Sequence, residues 1–423
     1  MSTRPEPRPS RWRLWACCLL MGFASGLPYY VLVSLLPAWL RQSGVGLAEI
    51  GLFAWLRLPY TWKFLWSPLL DRFDLGWPGR RRDWAIACQA LLVSLLLAFG
   101  FCHPQASLSS TIVVAGLVAT FSATQDIAID AYRRELLLDN ELGFGNSLAV
   151  NGYRSAGLIP GGLALWLADR VAWRTVHWVV AGCMLIGIGA TLLAPDVAPS
   201  ERPVRSLASA IVDPFREFFQ RQGWRSSCVI LAFLVLYKLG DNMATSLVTP
   251  FYIDLGFSLS EIGTLVKLVA LWSTIGGSLI GGAIMLRIGI NRALWVFGLV
   301  QMLSILGFAA LAVIGKNHVA LGAAVMFEYL GIGLGTAAFV AFLAKVTSKR
   351  FTATQYALFS SVAALPAVAL GSVCGVLVEL LGFRDFYFLC TAAALPGLLL
   401  LPRIAPWNEG PAQAQPETRA VAP

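Results

Sequence analysis

Residues 111–134 read Thr-Ile-Val-Val-Ala-Gly-Leu-Val-Ala-Thr-Phe-Ser-Ala-Thr-Gln-Asp-Ile-Ala-Ile-Asp-Ala-Tyr-Arg-Arg. The stretch opens as lipid-compatible helix and then sets Asp126 and Asp130 four apart, one turn from each other on a single helix face. A charged side chain at bilayer depth costs about 2.5–3.5 kcal/mol on insertion scales, so it is kept where it is paired or lines a water-filled path. The stretch therefore implies a helix in a lipid-embedded bundle with its acids turned toward a route through the protein.

Composition extends that reading to the whole chain. Its 423 residues are 57% hydrophobic and only 13% charged, with a mean hydropathy of +0.69, whereas soluble domains carry about a quarter charged residues. Apolar runs long enough to span the hydrocarbon core recur at roughly 13–39, 48–69, 84–102, 109–131, 146–168, 174–194, 227–252, 261–284, 292–314, 318–342, 354–380 and 384–402. The expected fold is an all-α polytopic membrane protein with twelve transmembrane helices.

The net charge of +9 is a topology signal. Arg4, Arg8, Arg11, Arg13, Arg72, Arg80, Arg81, Arg82, Arg133, Arg134 and the linker arginines Arg202, Arg205, Arg216, Arg221 and Arg225 fall on one alternate set of loops. Arg287, Arg292, Lys345, Lys349, Arg350, Arg403 and Arg419 join the same set, while the opposite loops hold only Arg41, Arg170, Arg174, Lys316 and Arg384. The positive-inside rule then places both termini of a multi-pass protein in the cytoplasm. A nucleic-acid partner is not expected, because no contiguous basic patch with interleaved aromatics occurs. The eight cysteines lie in or beside apolar spans without a CxxC pair, and His103, His177 and His318 lack metal-ligand spacing. No metal and no cofactor are expected. The basic start and long first run read as a retained span.

The chain divides into two halves. Residues 195–226 carry Pro195, Pro199, Pro203, Pro214 and five arginines, and read as a cytoplasmic linker with an amphipathic helix near 207–221. It separates an N-terminal six-helix half (1–194) from a C-terminal one (227–402), and the Pro/Ala/Glu-rich tail 403–423 reads as disordered. Pro37-Ala-Trp-Leu and Ala48-Glu-Ile-Gly in the first half return as Pro250-Phe-Tyr-Ile and Ser260-Glu-Ile-Gly, displaced by about 212 residues, which matches duplication of a six-helix unit. Two such halves around a central cavity resemble the major facilitator architecture. Asp71-Arg72, Gly76, and Gly79 with Arg80, Arg81 and Arg82 resemble that superfamily's loop motif, which implies a conformational clamp of Asp71, Arg72 and Arg81 on helix ends; a pure topology role for the arginines is the alternative.

The charged groups expected at membrane depth are Arg57, Lys63, Asp126, Asp130, Arg154, Lys238, Asp241, Lys267, Glu328 and Glu379. Lys63 shares a face with Pro59 and Tyr60, and pairing with Asp126 or Asp130 would neutralise it and allow partner exchange. Asp126, Asp130, Asp241 and Glu328 are the proton-coupling candidates; a helix-end bridge from Asp130 to Arg134 and a neutralising Lys238–Asp241 pair are the competing readings. Arg154 has the planar fork for a substrate carboxylate, or could pair with Asp126. Tyr60, Tyr153, Gln125 and Asn242 join Lys63 and Arg154 as substrate-binding candidates, and Tyr29, Tyr30, Trp62, Trp66 and Trp272 are further aromatics that could stack on sugar rings. No hydrolase elbow, P-loop or HExxH motif occurs, so the chain reads as a non-enzyme; a membrane sensor or polytopic enzyme is the alternative of another class.

Gly22-Phe-Ala-Ser-Gly26-Leu-Pro28, the run from Lys63-Phe-Leu-Trp to Asp71-Arg72, Ala123-Thr-Gln-Asp-Ile-Ala-Ile-Asp130-Ala-Tyr, Gly152-Tyr-Arg154 and the Gly161 to Asp169 stretch together resemble the AmpG family of muropeptide permeases. The resemblance covers 20–170 closely and is mostly architectural beyond. It implies proton-driven import across a bacterial inner membrane of N-acetylglucosamine–1,6-anhydro-N-acetylmuramic acid and its peptides, for cell-wall recycling; a monomer is expected. Compact relatives that carry ferric siderophores leave a siderophore permease as the alternative.

Overall fold

The computed structural model describes residues 10–45, 49, 53–73, 75, 80–197, 207–258, 261–369 and 371–408. Gly76 and Gly79 of the loop motif, residues 198–206 of the linker and the tail from 409 lie outside them, as does the Arg57 side chain. Every regular element among the described residues is helical. Among the described residues, eight helices are long and apolar enough to cross a membrane. The remaining spans are segmented. The second is built from a 3₁₀ turn Phe53–Arg57, short helices Leu58–Trp62 and Ser67–Arg72, and a 3₁₀ turn Lys63–Leu65 between them. The fifth runs from Leu142–Ala156 through a π turn at Ile159–Leu163 to Ala164–Ala168. Pro59, Pro68 and Pro160 remove backbone donors at these breaks. The 48-residue run Lys267–Ile314 is two helices joined at Gly289, whose φ of 78° is left-handed and open mainly to glycine. The order of segments is consistent with twelve passes.

The chain packs as two compact units. The first comprises Met1–Leu137, Leu148–Arg221 and Thr347–Val362. Its core gathers Leu27, Val31, Leu35, Trp39, Leu92, Phe99, Val118 and Val180. Where Arg11–Tyr30 crosses Leu142–Ala156 the backbones nearly touch: a Cβ built on Gly22 would lie 2.2 Å from the Ala149 carbonyl oxygen, and one on Gly152 would lie 1.9 Å from that of Leu19. Lipid offers helices no hydrophobic incentive to associate, so such close small-residue packing holds a bundle together. The second unit comprises Leu138–Ser147, Gln222–Val346 and Ala363–Pro423. An aromatic core centred on Phe251, Phe308 and Tyr387 fills it, with Tyr387 5.0 Å from Phe251 and 5.3 Å from Phe308 between ring centroids.

The linker contains a helix, Leu207–Gln222. It is fixed within the first unit by Gln355, whose Nε2 donates to Glu217 Oε2 (2.6 Å) and to the Pro214 carbonyl (2.9 Å).

Candidate functional site

In the first unit the sequence candidates converge around Lys63. The helix breaks beside it: Trp62 has φ −101° and ψ 3°, and the 3₁₀ turn Lys63–Leu65 follows. Trp66 Nε1 anchors the broken stretch by donating to Thr124 Oγ1 of Leu108–Leu136 (3.1 Å). The break presents Lys63, only 6% exposed, to the acids of that helix. Its Nζ lies 3.8 Å from Asp130 Oδ2 and within electrostatic range of Asp126. Asp126 is buried and accepts from Ser25 Oγ. Asp130 accepts from Arg133 Nη2 at 2.6 Å, and the same guanidinium nitrogen lies 3.2 Å from Tyr356 Oη. The helix-end partner of Asp130 is thus Arg133, three residues on. Arg134 instead donates to the Thr347 carbonyl (3.3 Å).

Half-buried tyrosines stand beside these charges. Tyr29 meets Tyr60 edge-on at 5.2 Å and lies 5.9 Å from Tyr153, with Tyr30 5.8 Å from Tyr153. Tyr60 and Tyr153 are within electrostatic range of Asp126. Gln125 is fully buried and spends its Nε2 on the Ala24 carbonyl (2.8 Å), so it ties two helices together. Arg154 is half-buried and within range of Tyr30. Trp62 and Trp272 are 53% and 65% exposed.

The second unit repeats the device. Lys238 itself breaks a helix, with φ −100° and ψ 4°, and Leu239–Ser246 restarts behind it with Asp241 in its first turn. Lys238 Nζ reaches Asp241 Oδ2 at 3.2 Å and Thr336 Oγ1 at 3.1 Å. Glu328, with no exposed surface, accepts from Ser304 Oγ at 2.7 Å. Asn242 is half-buried beside the pair. Lys267, expected at membrane depth, and Glu379, expected at a span end, are exposed.

The loop-motif residues form a third cluster, again inside the first unit. Arg81 holds Asp71 at 2.5 Å and Glu135 at 2.9 Å, and also donates to the Leu70 carbonyl (2.8 Å) and to Thr352 Oγ1 (2.7 Å). Asp71 accepts from the Thr354 backbone N–H (2.9 Å), the Thr354 hydroxyl (2.6 Å) and the Ala353 N–H (3.3 Å). A buried carboxylate therefore caps the N-terminus of Thr352–Ala369, where free N–H groups and the helix dipole favour negative charge. Arg72 lies over the Phe73 ring at 5.1 Å, and it is Arg81 that grips Asp71.

Sequence reasoning missed Ser25, Glu135, Ser304, Thr336, Thr352 and Thr354. A Thr-x-x-Gln pattern at 352–355, the signature of a helix start, was the available signal for the last two.

Comparison with known proteins adds identity to this geometry. The family model described as Major Facilitator Superfamily matches residues 18–371. A Haemophilus influenzae protein described only as uncharacterized is 47% identical over 404 residues, covering 93% of this chain and 94% of that one. The anhydromuropeptide permease of Escherichia coli strain K12 is 42% identical over 388 residues, covering 91% of this chain and 78% of that one. Among solved structures the human organic anion transporter MFSD10 superposes with a TM-score of 0.72 over 93% of this chain and 100% of that one, at 16% identity, a likeness of fold alone.

Proposed function

The chain belongs to the major facilitator superfamily and, within it, to the AmpG family of muropeptide permeases, and from that premise we propose that it imports anhydromuropeptides by proton symport across a bacterial inner membrane. The observation that carries the mechanism is the buried cluster of Lys63, Asp130 and Asp126 at a broken membrane helix. Irregular backbone at membrane depth persists where it is enclosed by protein or lines a water-filled path. There Lys63 and Arg154 supply positive charge for the substrate's carboxylates, and the tyrosines at 60 and 153 supply faces for its sugar rings.

Charge balance assigns the proton. The first cluster sets Lys63 and Arg133 against Asp126 and Asp130. The second sets Lys238 against two carboxyls, Asp241 and Glu328. An uncompensated charge in an apolar surrounding is expensive enough that the group neutralises instead, so the second cluster holds one more proton than the first. Glu328, served by a hydroxyl and no cation within bonding distance among the described residues, is its seat, and Asp241 exchanges it. Asp126 and Asp130 accept a proton when substrate draws Lys63 away. The Asp71 cap on Thr352–Ala369 is the contact that opens and closes with each cycle.

The basic residues gathered on one set of loops support cytoplasmic termini. The permease relative favours the sugar-peptide substrate over a ferric siderophore. Membrane vesicles given a proton gradient should accumulate labelled N-acetylglucosamine–anhydro-N-acetylmuramic acid and lose it on adding an uncoupler. Absence of that uptake, with uptake of a ferric chelate in its place, would overturn the reading.

A further inference from the structure

A small cavity lies inside the second unit, lined by Tyr237, Asp241, Gln301, Met302, Ile305 and Leu398 among others. The space open to water-sized centres is about 10 Å³, the size that holds one water molecule. A buried water also needs two to four polar partners. Three of the lining groups qualify. Asp241 is 8% exposed and its Oδ1 has no hydrogen-bond partner, while Oδ2 is taken by Lys238. Gln301 is 4% exposed and its Nε2 has no partner. Tyr237 Oη donates to the Leu294 carbonyl (3.1 Å) and keeps a lone pair free to accept. An acceptor, a donor and a further acceptor around one water's volume is a complete solvation shell for it.

Gln301 also touches the other acid of this unit. Its backbone carbonyl lies 2.8 Å from Ser304 Oγ, the hydroxyl that serves Glu328 at 2.7 Å. One residue therefore borders both carboxyls, with its side chain toward Asp241 and its main chain toward Glu328. The backbone of 318–346 holds it there: a Cβ built on Gly335 would lie 2.0 Å from Gln301 Oε1.

We propose that Gln301 is a positioning residue of the proton site, holding with Tyr237 a single water that hydrogen-bonds Asp241 Oδ1. The water accepts from Gln301 Nε2 and donates to Asp241, so it steadies the ionised carboxylate opposite Lys238; when that carboxyl is protonated the donation ends, and the water's second lone pair can accept the new O–H. The other titratable groups around Asp241 are Lys238, Glu328, Tyr237 and Tyr329, and none of them occupies Oδ1. This inference rests on the reading of the chain as a proton symporter.

The test uses the full chain in proteoliposomes. Gln301→Leu should lower gradient-driven accumulation of the labelled anhydrodisaccharide about tenfold, leave counterflow exchange within about twofold of wild type, and move the pH midpoint of accumulation alkaline by half a unit or more. Gly335→Ala, which crowds the amide without removing a polar group, should give the same split more mildly. Gly322→Ala on the same helix, where a Cβ meets nothing within 4 Å, should match wild type. Equal losses of counterflow and accumulation in Gln301→Leu, or an unchanged pH profile, would overturn the proposal. Wild-type uptake tests the symporter reading separately. The carboxyl infrared bands of purified protein, titrated with and without Gln301→Leu and assigned with Asp241→Asn, test the water site without any substrate: an unchanged Asp241 band also overturns it.

Discussion

The two units solve the same problem with opposite charge arithmetic. Each breaks a membrane helix next to a lysine, at nearly the same backbone angles: φ −101° and ψ 3° at Trp62, φ −100° and ψ 4° at Lys238. Each turns that lysine onto a carboxylate, Asp130 at 3.8 Å and Asp241 at 3.2 Å. The first unit then adds Arg133 and balances its acids, while the second adds Glu328 and does not. A balanced cluster can trade partners with an anionic substrate. An acid-rich one can carry a proton. The division of labour we propose between the halves rests on one extra cation on one side and one extra carboxyl on the other.

Removing the cation of the balanced cluster gives the largest effect. Lys63→Met leaves a buried carboxylate, Asp126, and a half-buried one, Asp130, with one guanidinium, and breaking a buried pair costs about 3–5 kcal/mol. Accumulation should fall by two orders of magnitude or more, with a clear drop in melting temperature. The double change Lys63→Met with Asp130→Asn should regain much of the melting temperature and none of the transport. Full transport in the double variant would show that the first unit's charges serve folding alone.

Neutralising one acid in each unit sharpens the contrast. Asp130→Asn removes the partner of two cations, so thermal stability in detergent should fall by about 3 kcal/mol. If Glu328 holds the proton as proposed, Glu328→Gln replaces that carboxyl with a neutral group of the same shape and should cost less than about 1 kcal/mol. Its accumulation should nevertheless be lost while counterflow persists, because an amide carries no exchangeable charge. Equal destabilisation by the two changes would break the comparison.

The segments each unit takes from elsewhere in the chain are also held differently. In the first, Thr347–Val362 is gripped by hydrogen bonds between its threonines and backbone N–H groups and the charged side chains of Asp71, Arg81 and Glu135. In the second, Leu138–Ser147 is gripped by contact: a Cβ on Gly282 would lie 2.6 Å from Ser147 Cβ, and Ser147 Oγ donates to the Ser278 carbonyl. Thr354→Val removes one donor from the Asp71 cap and should cost about 1 kcal/mol, read as a lower melting temperature at low salt. Gly282→Ala, a clash with a side chain and not a lost charge, should destabilise to a similar degree at every ionic strength.

Much of this was legible in the sequence because charge in an apolar run is conspicuous. Asp126, Asp130, Lys63, Lys238 and Glu328 stood out for that reason, and the fold class followed from the length and number of the runs between them. Their hydroxyl partners did not. Ser25, Ser304 and Thr336 look like any small residue in a packed helix, and which of them meets an acid depends on how helices far apart in sequence cross. The breaks at Trp62 and Lys238 were equally hidden. Pro59 marks the neighbourhood of the first, but nothing in Leu236-Tyr-Lys-Leu announces the second. Arg133 displaced Arg134 as the partner of Asp130 because a three-residue spacing and a four-residue spacing are both neighbours on a helix, and the Thr347 carbonyl claims Arg134.

The smallest effect belongs to a group outside the spans. Glu261 receives His318 Nε2 at 2.6 Å, the Ser258 N–H at 2.7 Å and the Ser258 hydroxyl at 2.8 Å, with Lys316 at 4.0 Å. These bonds, that of His318 foremost, hold its carboxyl at about 2 against an ordinary 4.5. A carboxyl depressed in the folded state stabilises fully above its unfolded value and loses that stabilisation as pH falls toward the folded one. The melting temperature should therefore decline between pH 4.5 and pH 2 by slightly more in wild type than in Glu261→Gln. The decline should be small because the pair is exposed to solvent, where such contacts are weak.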